Sequence, residues 1–228
     1  MHRDLMSMTW LDGLFLHWPV DPALVEERIP AGLDVATYDG DPWLGVVAFE
    51  MPEIRPRGSP IGLGFPEVNL RTYVEPSGGG ERGVYFFNLD AGDVLGVAMA
   101  RLFFALPYYH ADMHVSRDGD EVHFTHRRTN PHARPAEFDA VYRPTGSVAS
   151  AEPGSLDEFL VENYRFYTER SGLWYCPIRH DPWPLQDATV EVRANTLFEA
   201  NGFERPAGEP LVHYAGELHV TADRLHRV

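Results

Sequence analysis

The chain predicts an α+β fold that is mainly antiparallel β with about three helices, and three features of its 228 residues lead there. Short runs of alternating apolar and polar residues recur from end to end, bounded by Gly, Asp and Pro turn signals. Helical periodicity is confined to a few segments. No repeat of about 20 to 50 residues and no low-complexity linker divides the sequence, so residues 1–228 are read as a single domain with a sizeable core.

The elements follow in order. "LFLHWPV" reads as a strand, and "VDPALVEERIP" as a short helix with Asp21 as N-cap, Pro22 in its first turn and Pro30 as its stop. "LDVATYDGDPWLGVVAFEM" offers two strands around an Asp-Gly turn. "IRPRGSPIGLGFP" is dense in Gly and Pro, which predicts an irregular loop; its "GLG" lacks the strand-turn-helix frame of a dinucleotide site. "EVNLRTYVEP" and "RGVYFFNLDA" form a hairpin across "SGGGE". Alternation sends Val68, Leu70, Thr72 and Val74 to the core face, while Glu67, Asn69, Arg71 and Tyr73 share a face that is solvated or lines a polar cavity.

"DVLGVAMARLFFA" has helical density, with Asp93 as N-cap and Pro107 closing it. "HADMHVSRDGDEVHFTHRR" is a hairpin about "RDGD", and "AVYRPTGSVAS" adds a strand. "GSLDEFLVENYRFYTERSG" reads as the clearest helix, with Ser155 and Glu158 as a capping box and Gly172 at the stop. Further short strands complete the chain.

Charge narrows the function. All 19 basic residues are arginine, against 34 Asp and Glu, for a net charge of -15. The acidic, lysine-free pattern resembles proteins of salt-loving archaea, and a GC-rich genome produces the same replacement of Lys by Arg. Either way the field repels nucleic acid and anionic membrane surfaces, so neither is expected as a partner. No apolar run is long enough to span a bilayer and the N-terminus lacks a signal-peptide core, so a cytoplasmic location is expected. The lone Cys176 forms no intramolecular disulfide and no thiolate cluster for zinc.

Six segments in this order resemble the YqjF-like family of unknown function, DUF2071: "FLHWPVD", "EVNLRTYV", "GVYFFNLDA", "ARLFFALPYYHADM", "LDEFLVENYRFY" and "HDPWPLQDA". That family is similar in turn to the acetoacetate decarboxylase-like superfamily, which implies a strongly curved sheet or barrel-like core around a small-molecule pocket. The resemblance also implies an oligomer, a dimer or larger. In the decarboxylase pattern, Arg-Glu-x-x-Gly-Phe-Pro-Lys supplies a lysine that forms a Schiff base. Here Arg101 and Pro107 fall at matching places, but the lysine position is Tyr108 and the glutamate position is Leu102. A phenol cannot form an imine, and no lysine stands anywhere in the sequence.

The candidate site follows from this match. Tyr108, Arg101 and Glu67 are the candidate catalytic residues, Glu67 as counterpart of the superfamily glutamate that faces the lysine, although Phe65 and Pro66 replace its local pattern. Asn69, Arg71, Tyr109, His110 and His180 are candidate ligand contacts. Arginines grip a carboxylate bidentately and a tyrosine donates to a carbonyl or enolate oxygen, a set suited to acid-base chemistry on a small keto or hydroxy acid. No cofactor is expected. The 11 histidines raise the question of a metal, but no HExxH accompanies them, and strand residues three apart face opposite ways, so none is expected. Two other readings stay open: a non-catalytic small-molecule binding protein that keeps the pocket, and an interaction protein using the aromatic segments "YYHADM" and "RFYTERSGLWY".

Overall fold

The computed structural model describes residues 4–228, apart from the side chains of residues 99–103. The strands are β1 (Met6–Pro19), β2 (Leu33–Val35), β3 (Trp43–Pro56), β4 (Leu63–Pro76), β5 (Gly83–Ala91), β6 (Tyr108–Asp118), β7 (Glu121–Arg128), β8 (Glu137–Pro144), β9 (Arg165–Glu169), β10 (Leu173–Arg179), β11 (Leu185–Asn195), β12 (Leu211–Ala215), β13 (Leu218–Ala222) and β14 (His226–Arg227). Four short helices interrupt them: α1 (Pro22–Glu26), α2 (Val94–Phe104), α3 (Leu156–Val161) and α4 (Leu197–Ala200). The mainly antiparallel α+β class is therefore observed, with one helix more than expected. Among the described residues no helix is long and apolar enough to cross a membrane.

The strands pair into one continuous curved sheet that closes on itself twice. One closed ring runs β1, β3, β4, β5, β9, β10 and β13 back to β1. A second leaves β5 through β6, β7, β8, β11 and β12 and also returns to β1. Strands β1, β3, β4 and β5 thus form a wall common to both rings. Strand β5 divides between them by pairing in parallel with β9 at Val84 and Tyr85 and with β6 at Leu89 to Ala91.

Each face of that wall carries its own core. Phe15, Val47, Phe49, Tyr73 and Leu89 belong to one buried cluster, and Leu14, Leu16, Val46, Val68 and Leu70 to the other. Because side chains alternate along a strand, a wall between two cores is buried on both faces. This corrects the expectation for β4. Val68 and Leu70 do face a core, but Glu67, Asn69, Arg71 and Tyr73 are buried as well, all at 9% exposure or less.

Two local expectations also change. Strands β3 and β4 run into the Gly- and Pro-rich segment as far as Pro56 and from Leu63, so only residues 57–62 stay irregular. The helix at Leu156 ends at Val161, and Arg165–Glu169 is strand. Asn163 stops it by donating from Nδ2 to the carbonyls of Phe159 and Leu160. Beyond this point Phe166 and Tyr167 pair with β5 and with Cys176 and Tyr175 of β10, and those sheet contacts override helical propensity. The predicted N-caps are present, with Asp21 accepting from the Ala23 amide, Asp93 from the Gly96 amide and Ser155 from the Glu158 amide, but Glu158 accepts from the Gly154 amide and does not close the capping box on Ser155.

Candidate functional site

Within the first ring lies a cavity of about 690 Å³. Its walls are apolar, with Trp10 from β1, Phe49 and Met51 from β3, Phe65 from β4, Leu89 from β5 and Phe166 from β9. Glu67, Tyr108, Ser59 and Arg224 add polar groups. Helix α2 contributes Leu95 and Gly96, and its approach depends on the glycine, since a Cβ on Gly96 would stand 2.6 Å from the ring of Phe65.

Tyr108 reaches the cavity because of how α2 ends. Ala105 adopts a left-handed conformation (φ 53°) at the C-cap, and Pro107 cannot continue the helix. The chain then enters β6 with Tyr108 beside Leu89. Its hydroxyl donates to Glu67 Oε2 at 2.6 Å, and Asn69 Nδ2 donates to Oε1 at 3.2 Å. Glu67 is 3% exposed. Burial raises its pKa from 4.5 to about 7, and the hydrogen bonds from Tyr108 and Asn69 oppose that rise. Burial and the neighbouring Glu67 charge push the Tyr108 phenol well above its ordinary value, so it keeps its proton. The pair therefore joins a carboxyl that exchanges its proton near neutral pH to a phenol that remains a donor.

The other candidates distribute unequally. Asn69 stands behind Glu67. Arg71 is buried elsewhere in the same core, donating from Nη2 to the Leu160 carbonyl at 3.3 Å, and is not part of the cavity wall. It makes no surface pair with Glu67. Tyr109 points to the opposite face of the sheet, with the Arg128 guanidinium 4.1 Å from its ring centroid. His110 Nδ1 lies 2.9 Å from Thr129 Oγ1, away from the cavity wall. His180 stacks on Tyr164 and packs against Trp10 and Trp183, behind that wall. Arg101 lies in α2, but its side chain is outside the described residues.

Three groups escaped the sequence reading. Trp10 lines the cavity with a buried indole N–H that has no partner among the described residues. Arg224 is the cation among the described wall residues. On the opposite face, Asp90 is fully buried between His126 and Arg128. Strand alternation in "THRR" puts His126 and Arg128 on one side, but no pattern in "FNLDA" announces their partner. Among the described residues no group of three or more His, Cys, Asp or Glu has the geometry to hold a metal ion.

Comparison with known proteins fits this architecture. The enduracididine biosynthesis enzyme MppR, solved in complex with pyruvate, superposes with a TM-score of 0.66 at 11% identity, over 100% of this chain and 91% of that one. An acetoacetate decarboxylase-like enzyme from Sphingomonas wittichii RW1 gives a TM-score of 0.66 at 16% identity, over 99% of this chain and 93% of that one. These likenesses show an acetoacetate decarboxylase-like fold. In sequence, the uncharacterized protein YqjF of Bacillus subtilis (strain 168) is 43% identical over 215 residues, covering 92% of this chain and 87% of that protein. The profile of DUF2071, described as an uncharacterized conserved protein, matches residues 7–219. The chain belongs to the DUF2071 family.

Proposed function

We propose that this protein is a lysine-independent enzyme that binds a keto or hydroxy acid with an apolar body and moves a proton on it without covalent capture. The observation that carries the reading is the 2.6 Å hydrogen bond between Tyr108 and Glu67 inside a mainly apolar cavity. The Glu67 carboxylate removes the proton α to the carbonyl, and the Tyr108 hydroxyl turns its hydrogen bond to the carbonyl oxygen as negative charge gathers there. Return of the proton from Glu67 to carbon closes the cycle with no net change in charge. The unpaired Trp10 N–H is a second donor in the same wall, and Arg224 is suited to the carboxylate of the ligand. A lysine imine is closed, because the chain has no lysine. Expulsion of water by the apolar walls strengthens each of these interactions.

A series of 2-oxo acids from pyruvate to 2-oxooctanoate tests this by deuterium incorporation at C3, the carbon next to the keto group, followed by NMR in D₂O. The expected result is exchange that improves with chain length and falls at least about 100-fold in Glu67→Gln, the scale of a lost general base. Thermal stabilisation by these acids without exchange favours the second reading, a binding protein, for which the apolar walls are equally suited. Absence of both effects removes the cavity from consideration.

A further inference from the structure

Arg71 is a buried cation with no carboxylate in direct contact among the described residues. It is 9% exposed, and no carboxylate lies within 4.0 Å of its guanidinium among the described residues. Its hydrogen bond to Leu160 and the rings of Phe15 and Tyr73, whose centroids lie 5.6 and 5.8 Å from the guanidinium carbon, are all neutral contacts. Its Nε is buried and has no partner. A charge held this way carries a desolvation cost of several kcal/mol that neutral contacts do not offset.

The surroundings repeat the pattern. His17 is fully buried; its Nε2 lies 2.8 Å from the Tyr73 hydroxyl while its Nδ1 is unpaired. His213 meets Asp157 at 3.3 Å through Nε2, and its Nδ1 too is buried and unpaired. Pairing places these groups together: His17 is opposite Gly45, Gly45 is opposite Arg71, and His213 is opposite Phe15. Gly45 lets the His17 ring and the Tyr73 hydroxyl close onto the sheet, since a Cβ there would stand 2.8 Å from the His17 ring. Helix α3, through buried Phe159 and Leu160, covers the cluster. Buried polar atoms are normally satisfied, so three nitrogens without a partner among the described residues, Arg71 Nε and the Nδ1 atoms of His17 and His213, call for a polar occupant.

We propose that Arg71, His17, His213 and Tyr73 form an internal anion site, separate from the Glu67 and Tyr108 cavity, that takes a small carboxylate the size of formate or acetate. The planar guanidinium fork matches a carboxylate, and with the Tyr73 hydroxyl donating to His17 Nε2, the His17 Nδ1–H is left to donate to it. The occupant supplies a negative charge in direct contact with Arg71.

Sodium formate titrated against sodium chloride at equal ionic strength, in HEPES buffer, tests the site by thermal melting. The expected result is a rise in melting temperature with formate concentration that exceeds the effect of chloride. In Arg71→Met the apparent affinity falls at least tenfold, while Glu67→Gln keeps the full response. An unchanged response in Arg71→Met, no response in the wild type, or an equal response to chloride overturns the proposal. Loss of the response in Glu67→Gln overturns it as well, by placing the carboxylate in the cavity. Should Arg71→Met not fold, wild-type crystals soaked in sodium acetate decide: carboxylate density against Arg71 supports the site, and water alone there overturns it.

Discussion

Glu67 and Asp90 are two buried carboxyls one step apart in the same pair of strands, with Glu67 opposite Ala91 and Val68 opposite Asp90. They face opposite cores and meet opposite treatment. Asp90 receives Arg128 through Nε and Nη2 at 3.0 to 3.2 Å and His126 at 2.6 Å, and Asn88 donates from 3.4 Å. Among the described residues, Glu67 receives one phenol and one amide, both neutral. A buried carboxylate matched by a guanidinium fastens strands together, here β5 to β7. One left with neutral donors holds its proton loosely near neutral pH, which is the condition for proton transfer. The same wall thus carries a carboxyl held by a guanidinium on one face and, on the other, the carboxyl to which the proposed function gives the proton transfer.

The largest way to break this contrast is Asp90→Ala, which leaves Arg128 buried without its partner. It is expected to cost about 3 to 5 kcal/mol of folding stability, read from urea denaturation. A loss under about 1 kcal/mol in that measurement makes Asp90 as dispensable as a surface ion pair.

Glu67→Gln should act in the opposite direction. In the wild type, the unfolded chain loses this proton above about pH 4.5, while the folded chain keeps it to about 7. Folding therefore takes up a proton in that window, and stability falls as pH rises through it. The fall amounts to about 3 kcal/mol by linkage, complete above about pH 7. Glu67→Gln should remove this pH dependence and leave a protein at pH 8 that is at least as stable as the wild type, while the proposed exchange activity is lost. Equal slopes for both proteins between pH 4.5 and 7 would show that Glu67 does not titrate there.

Tyr108→Phe sharpens the comparison with the smallest effect. It removes a donor to the carboxylate, so the Glu67 pKa moves above about 7 and the rising, low-pH limb of any rate profile moves up with it. Loss of one positioned donor should lower exchange by about 10- to 100-fold at pH 7. An unmoved profile with full activity would take Tyr108 out of the chemistry.

Much of the fold was legible. The hairpins, three helix starts and their caps follow from turn chemistry and alternation, which depend on neighbours in sequence. The tail of the α3 segment was not, because Phe166 and Tyr167 find their partners on β5 and β10, far away in the chain. Alternation correctly separated Glu67, Asn69, Arg71 and Tyr73 from Val68 and Leu70. It gave no sign that both faces would be enclosed, since this depends on the sheet closing twice. Pairing Glu67 with Tyr108 rested on the family resemblance, and local residues alone do not imply it.

Composition determined one property outright: without a lysine side chain, no imine can form on one, whatever the fold. Alternation and turns determined which residues share a strand face. Only the tertiary structure decided which buried carboxyl meets a guanidinium and which meets a phenol, and that Arg71 meets neither. Those partners come from strands 38 and 41 residues away in sequence for Asp90 and Glu67, and at such separations the dielectric surroundings and the neighbouring charges are set by packing.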